Sequence, residues 1–229
     1  MRHKDSLGNT GVISKGGVQW MTAGSGIIHQ EKPGEELMKN GGNMEGFQLW
    51  VNLPEKDKMI KPRYQVTPPE LLPSLLSKDG NVFIKVITGL ASLDEKEATS
   101  PIETRFPILY LDVHLKPGNS SFETALPSSF NGFVYCYRGK GSVNAKPLHD
   151  GQVAIFDGPQ RKETVDNSQE SDRILLMSSE SDEMRALVVF GQPIGEPIAR
   201  YGPFVMTTEE QLMQAFKDYR SGNFGTIEK

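Results

Sequence analysis

The chain is organised around the stretch Gln19-Trp-Met-Thr-Ala-Gly-Ser-Gly-Ile-Ile-His-Gln-Glu31, where a glycine-punctuated turn leads into a short β-branched run. Successive side chains of a strand point to opposite faces, so His29 and Glu31, two residues apart, can point into one cavity. An imidazole and a carboxylate are ligands suited to iron, manganese, nickel or zinc, and can form part of a site with two histidines and one carboxylate. Spacing alone favours a simpler interpretation, a polar pair at a solvent-facing strand end. The motif by itself leaves both interpretations open.

Length, charge and cysteine content exclude several classes of protein. The 229 residues suffice for one large β domain or two small ones with a buried core. A net charge of -4 gives no electrostatic footprint for direct nucleic-acid or anionic-membrane binding. Cys136 is the only cysteine, so no intrachain disulfide is expected and a reducing compartment is predicted. The longest apolar run, 186–190, is far shorter than the roughly 20 residues of a membrane span, and the polar residues after Met1 predict no secretory signal.

Short strands separated by turns dominate the chain from residue 82 onward. Each segment is rich in β-branched or aromatic residues and is bounded by glycine, proline or acidic residues, a pattern typical of an antiparallel sandwich or barrel. The predicted strands are 82–88, 108–115, 132–137, 152–156, 173–177 and 185–190, with a turn at Gly139-Lys-Gly141. This pattern predicts an all-β fold.

Other segments carry more varied signals. Residues 46–53 alternate apolar and polar side chains, which predicts a strand with one face in a core, whereas 32–43 are typical of a polar loop. The prolines of 61–80 predict an extended connector at a domain boundary, because proline interrupts helices and central strands. One short helix is predicted after Thr207, which can cap it together with Glu210.

Several ordered motifs resemble the pirin family of the cupin superfamily. They are His3-Lys-Asp-Ser-Leu-Gly-Asn9, Val18-Gln-Trp-Met-Thr-Ala-Gly24, Gly26-Ile-Ile-His29, Gln48-Leu-Trp-Val-Asn-Leu-Pro54, Lys61-Pro-Arg-Tyr-Gln65 and Gly202-Pro-Phe-Val-Met-Thr207. The resemblance implies an all-β fold of two tandem cupin barrels with one short C-terminal α-helix. It divides the chain into the remainder of a first barrel (1–60), a connector (61–80) and a second barrel with the terminal helix (81–229).

The resemblance also implies a metal, usually iron, in the first barrel only. Its ligands are a His-x-His pair on an earlier strand with a later histidine and glutamate, and His29 and Glu31 fall on the later two positions. Other divalent metals are expected to fit as well. The resemblance implies two alternative functions. One is quercetin 2,3-dioxygenase activity on a flavonol, with Glu31 as metal ligand or catalytic base. The other is a role as a nuclear transcription cofactor that binds a transcription factor. A cytoplasmic or nuclear location is expected.

The histidines depart from the family pattern. Only His3, His29, His114 and His149 are present, and none lies two residues from another. The His-x-His strand would precede His3, which is itself not expected to be a ligand. We therefore expect a chain truncated at its N-terminus, as a fragment, an isoform or a truncated gene product, with two of four ligands. The expected consequences are impaired metal binding, weak or absent turnover, and self-association through the incomplete barrel. His114 and His149 are expected to be surface residues of the second barrel.

Overall fold

The structure, a computed structural model, describes residues 1–156 and 171–227. The chain divides into two compact units: a terminal unit, formed by Met1–Pro69 with Ile194–Lys229, and a central unit, formed by Glu70–Pro193. The central unit is built mainly from antiparallel strands, and the terminal unit contains, within its described residues, three small antiparallel sheets and three short helices. The predominance of strands over helices confirms the predicted all-β class. No helix in the described ranges is both long enough and apolar enough to cross a membrane.

The elements follow one another in chain order through the two units. The terminal unit begins with β1 (Arg2–Asp5), β2 (Thr10–Val12), β3 (Val18–Thr22), β4 (His29–Lys32), α1 (Glu35–Asn40), α2 (Glu55–Lys58) and β5 (Arg63–Thr67). The central unit contains β6 (Ser74–Leu76), β7 (Val82–Thr88), β8 (Leu90–Leu93), β9 (Lys96–Thr99), β10 (Ile108–Leu115), β11 (Ser121–Pro127), β12 (Asn131–Val143), β13 (Lys146–His149), β14 (Val153–Phe156), β15 (Ser171–Ser178) and β16 (Met184–Gly191). The terminal unit ends with β17 (Ala199–Tyr201), β18 (Phe204–Met206) and α3 (Glu209–Arg220).

The central unit is a curled sheet around one apolar core. Its strands follow the order β11-β15-β12-β16-β10-β7-β6, with β13 and β14 also paired to β12. β10 shows why these residues form strands, since Leu111, Val113 and Leu115 are buried on one face while Asp112 and His114 alternate with them. The core residues with no exposed surface include Ile84, Val86, Leu111, Val113, Val134, Cys136, Leu176, Met184, Ala186 and Val188.

One predicted turn lies inside a strand. β12 continues through Gly139 and Gly141 to Val143, with an irregular register between Cys136 and Arg138. A Cβ atom at Gly141 would lie 2.1 Å from the Met177 carbonyl oxygen. The prediction of a turn at Gly139-Lys-Gly141 was therefore wrong, because the glycine allows close strand pairing and does not reverse the chain.

The terminal unit has smaller sheets, ordered β2-β1-β4, β3-β5 and β17-β18. The predicted strand at 46–53 was wrong, because the segment pairs with no strand in the described part of the chain and alternation alone makes no ladder. Two other predictions also need correction. The polar loop at 32–43 contains α1, and the proline-rich connector contains β5, which pairs along its whole length with β3.

The predicted C-terminal helix is confirmed as α3, but its cap lies one residue later than expected. Thr208, not Thr207, accepts a hydrogen bond from the Gln211 N–H, and the Gln211 side chain accepts from the Thr208 N–H. The apolar side of α3 packs on aromatic rings, with the centroids of Phe204 and Phe216 4.9 Å apart. This capping box and aromatic contact fix where α3 begins and which side it buries.

Replacing Thr208 with alanine is expected to lower the free energy of unfolding of the terminal unit by about 1 kcal/mol, the usual effect of losing an N-cap. Thr207→Val is the matched control, because the Thr207 hydroxyl is buried without a hydrogen-bond partner and valine has nearly the same shape. Urea unfolding of both variants measures the difference. A larger loss in Thr207→Val than in Thr208→Ala would contradict the assignment of the cap.

Candidate metal centre

His29 and Glu31 both lie on β4, two residues apart, so their side chains point to the same face. β4 pairs antiparallel with β1, and this register sets Asp5 opposite His29 and His3 opposite Glu31. Opposed residues share a face, with Cβ atoms about 4.5–5.5 Å apart. The four side chains therefore occupy one face of the β1–β4 pair. His29 and Glu31 are exposed there, whereas His3 and Asp5 are buried.

The turn that leads into β4 is held by close backbone contacts. The Ser25 N–H donates to the Ile60 carbonyl oxygen at 2.8 Å. Gly24 has a φ of 52°, and a Cβ atom there would lie 2.0 Å from the same oxygen. Gly26 has a φ of 118°, and its Cβ would lie 2.2 Å from the ring of Phe224. Both positions therefore require glycine, and together they set where β4 begins.

Asp5 is committed to the turn that follows β1. Its Oδ1 accepts from the N–H groups of Leu7 at 2.8 Å and Asn9 at 2.9 Å, and its Oδ2 accepts from Asn9 Nδ2 at 2.7 Å. An aspartate that closes a turn in this way satisfies the backbone with its own carboxylate. Asp5 therefore stabilises the β1–β2 connection and cannot bind a metal without breaking it.

Glu31 has polar neighbours on two other strands. Gln19 of β3 donates from Nε2 to Glu31 Oε1 at 3.4 Å. His3, only 5% exposed, stacks on Tyr64 of β5 with ring centroids 5.6 Å apart and an interplanar angle of 18°. Burial raises the pKa of Tyr64 to about 12, and the negative charges of Asp5 and Glu31 add to the shift. Tyr64 therefore keeps its proton at neutral pH and remains a hydrogen-bond donor.

His29 and Glu31 fit a metal only as part of its ligand set. They provide one nitrogen and one carboxylate, the donor types that iron and related metals accept. Within 1–156 and 171–227, no three side chains of histidine, cysteine, aspartate or glutamate come close enough to hold one ion. Two ligands leave most of a coordination shell to water. The residues present therefore do not by themselves define a catalytic step through a metal.

The other two histidines lie in the central unit. His149 ends β13 and is exposed, as expected, whereas His114 on β10 is only partly exposed. His114 Nε2 lies 2.8 Å from the Tyr137 hydroxyl oxygen and 3.2 Å from Asp112 Oδ1. The Tyr137 hydroxyl donates to the same carboxylate oxygen at 2.8 Å. His114 is thus part of a hydrogen-bonded cluster and not a free metal ligand.

Replacing Asp112 with asparagine is expected to lower the free energy of unfolding of the central unit by about 1.5–3 kcal/mol at neutral pH. Burial opposes ionisation of Asp112, but hydrogen bonds from His114 and Tyr137 outweigh it and hold the pKa of this carboxyl below its ordinary value. Such a carboxyl stabilises the fold above its unfolded pKa of about 3.9, and the contribution disappears as pH falls through the folded pKa.

Urea unfolding of the wild type and Asp112→Asn across the acidic range measures this dependence. The gap between their free energies of unfolding should be constant well above about pH 4 and shrink below it. A gap that persisted unchanged to the lowest pH at which the protein folds would contradict the role given to the carboxylate.

The chain is similar to known proteins along nearly its whole length. The family model described as Pirin matches residues 1–51, and the model described as Pirin C-terminal cupin domain matches residues 110–225. A pirin-like protein of Solanum lycopersicum is 38% identical over 228 residues, which cover 97% of this chain and 69% of that protein. A pirin-like protein of Caulobacter vibrioides is 41% identical over 225 residues, covering 98% of this chain and 73% of that protein.

A solved structure is also similar to nearly the whole chain. The crystal structure of quercetin 2,3-dioxygenase from Acinetobacter baumannii matches with a TM-score of 0.85 and 34% identity. The match covers 99% of this chain and 73% of that one. A second quercetin 2,3-dioxygenase structure from that organism matches with a TM-score of 0.76 at 24% identity, which bears on the fold alone.

Proposed function

The chain belongs to the pirin family, and from this premise we propose that it binds a divalent metal, iron above all, through His29 and Glu31 of its terminal unit. The observation that carries the proposal is the placement of an imidazole and a carboxylate on one face of β4. Both side chains are exposed, so an ion from solvent can reach them. When bound, the metal would supply Lewis-acid polarisation of a coordinated oxygen.

The protein's own residues prepare this site without the metal. The turn at Gly24 and Gly26 sets where β4 begins, so the two ligands sit on a regular strand and not on a loop. Gln19 limits the orientations of the Glu31 carboxylate through its hydrogen bond. Ligands whose orientation is restrained by neighbouring groups bind metals more tightly.

Metal binding is proposed to be weak and substoichiometric, because two ligands provide less charge donation and chelation than four. Elemental analysis of the purified chain, loaded with iron(II) and then dialysed, measures retained iron. A small fraction of one iron per chain is expected. One tightly held iron per chain would contradict the impaired site, and no binding even during a titration would contradict the metal function itself.

Quercetin 2,3-dioxygenase activity is a second candidate, favoured by the similarity to the Acinetobacter baumannii enzyme. Here Glu31 would accept the hydroxyl proton of a flavonol held within hydrogen-bond reach. Turnover is proposed to be weak or absent. Absorbance of quercetin in air, with iron-loaded protein and with Glu31→Gln, tests this: steady consumption that Glu31→Gln abolishes would establish the enzyme, and equal rates would exclude it.

Two binding roles belong to the same proposal. Among the described strands, β4 pairs only with β1, so its outer edge can accept a strand from a second copy of the chain. Analytical ultracentrifugation at several concentrations tests such self-association, and a strictly monomeric chain would exclude it. A nuclear or cytoplasmic role as a cofactor that binds a transcription factor stays a prediction from the family, to be tested by localisation and pull-down.

A further inference from the structure

The sequence contains two Asn-Gly pairs, Asn40-Gly41 and Asn131-Gly132. In such a pair the backbone nitrogen of the glycine can attack the side-chain carbonyl carbon of the asparagine, because no Cβ atom on the glycine blocks the approach. The attack needs a backbone that can change its dihedral angles and a glycine N–H that is free to lose its proton. The fold therefore decides which of the two pairs reacts.

Asn131-Gly132 begins β12 and is held by strands on both sides. Gly132 lies opposite Phe190 of β16 on one side and Phe156 of β14 on the other. The strands approach so closely that a Cβ atom at Gly132 would lie 2.0 Å from the Val189 carbonyl oxygen. Backbone that is paired on both sides opens rarely, since it opens only with the core of its unit. The fold therefore protects this pair from reaction.

Asn40-Gly41 lies where α1 ends and irregular backbone begins. Both residues are exposed, and a Cβ atom at Gly41 would meet no described atom within 4 Å. Gly41 has a φ of 70°, which glycine adopts without strain. Its N–H donates to the Leu37 carbonyl oxygen at 2.9 Å, so this one hydrogen bond must open before the nitrogen can react.

The helix that ends at this pair opens easily. α1 has six residues, all of them exposed except Leu37, which is partly exposed. Its N-cap is Gly34, which has no side chain to accept a hydrogen bond. An ion pair between Arg2 and Glu35 holds its first turn and not its last. Helices this short are marginal in water without buried contacts, so the last turn frays and frees the Gly41 N–H.

We infer that Asn40 is a site of spontaneous deamidation in the folded protein. The Gly41 nitrogen loses its proton to solvent and forms a bond to the side-chain carbonyl carbon of Asn40. The bond from that carbon to the amide nitrogen breaks, and the nitrogen takes up a proton and leaves as ammonia. Water then hydrolyses the cyclic imide at either of its two carbonyl groups, which gives aspartate or isoaspartate at position 40.

The product changes both the charge and the backbone where α1 ends. A carboxylate at position 40 adds one negative charge to the formal net charge of -4. It lies beside the last carbonyl groups of the helix, whose partial negative charge disfavours it. Isoaspartate also adds a methylene group to the backbone, which breaks the helical spacing. Deamidation therefore destabilises α1, the element that follows β4 and its candidate metal ligands in the chain.

The test is incubation of the full folded chain at mildly alkaline pH, with peptide mapping by mass spectrometry at successive times. Fragment spectra show which asparagine has exchanged its NH2 group for OH, and a sample digested at the start corrects for deamidation during digestion. Asn40 should react about 100-fold or more faster than Asn131, because a paired central strand opens far less often than an exposed helix end. In urea that unfolds the chain, both should react at similar rates, because glycine follows each.

Asn40→Gln tests the same site by charge. Glutamine must close a larger ring, which forms far more slowly, so the acidic species seen by isoelectric focusing should be lost. Asn43→Gln is the matched control, because Asn43 is exposed in the same segment but is followed by methionine. This variant should form the acidic species at the wild-type rate.

Two results would overturn the inference. One is deamidation of Asn131 as fast as that of Asn40 in the folded chain, which would show that the fold does not select between the pairs. The other is formation of the acidic species at the wild-type rate in Asn40→Gln, which would place the reaction at another residue.

Discussion

Replacing Gly24 with alanine is expected to lower the free energy of unfolding of the terminal unit by about 2–4 kcal/mol. The φ of 52° lies in the left-handed region, which costs a residue with a Cβ about 1–2 kcal/mol. The new Cβ would also lie 2.0 Å from the Ile60 carbonyl oxygen. That oxygen belongs to the backbone and accepts from Ser25, so relieving the clash breaks a hydrogen bond worth about 1 kcal/mol.

Gly8→Ala separates the two causes. Gly8 has a φ of 84°, but a Cβ there meets nothing within 4 Å, so alanine adds only the backbone cost. Denaturation followed by tryptophan fluorescence reports on this unit, because Trp20 and Trp50, the chain's two tryptophans, both lie in it. Gly24→Ala should lose clearly more stability than Gly8→Ala. Equal losses would show that the Ile60 contact does not hold the turn that precedes β4.

The strands of the central unit were predictable because the sequence of each strand is itself typical of a buried strand. The predicted strands 82–88 and 108–115 match β7 and β10, since continuous apolar and β-branched runs bounded by turn residues indicate buried strands. β11 was missed, because Phe122 and Leu126 are its only buried residues and Pro127 ends it. A strand with so few buried positions gives a weak periodic pattern.

The terminal unit was harder to predict because its elements depend on partners distant in sequence. β5 forms among prolines because β3 offers it a complete ladder, a fact that no local pattern contains. Residues 46–53 show the reverse case, a good alternation without a paired strand. Local propensity is a weak guide where pairing decides the structure.

In the candidate site, too, local features were predictable from the sequence and features that depend on strand pairing were not. Sequence spacing was enough to predict that His29 and Glu31 share a face, because strand alternation is local. The position of His3 opposite Glu31 could not be predicted, because it depends on the β1–β4 register, which joins strands separated by more than twenty residues. The burial of His3 without a hydrogen-bond partner was likewise not predictable from the motif.

His29→Gln and Glu31→Gln are each expected to weaken iron(II) binding about 100-fold or more. Disturbing a residue that merely supports a metal ligand already costs about 10–100-fold in affinity, and loss of a direct ligand removes donation and chelation as well. Glu31→Gln also removes the negative charge that attracts the ion, so its loss should be the larger. Competition with a colorimetric chelator measures both affinities.

His149→Gln is the matched control for this pair, because His149 is exposed on β13 of the central unit and takes part in no proposed site. Its iron affinity should equal that of the wild type, since an isolated surface imidazole binds iron too weakly to register in competition with a chelator. If His149→Gln lost as much binding as Glu31→Gln, the measured iron would be held nonspecifically by histidines. If His29→Gln alone bound normally, His29 would not be a ligand and the proposed His29–Glu31 pair would be wrong.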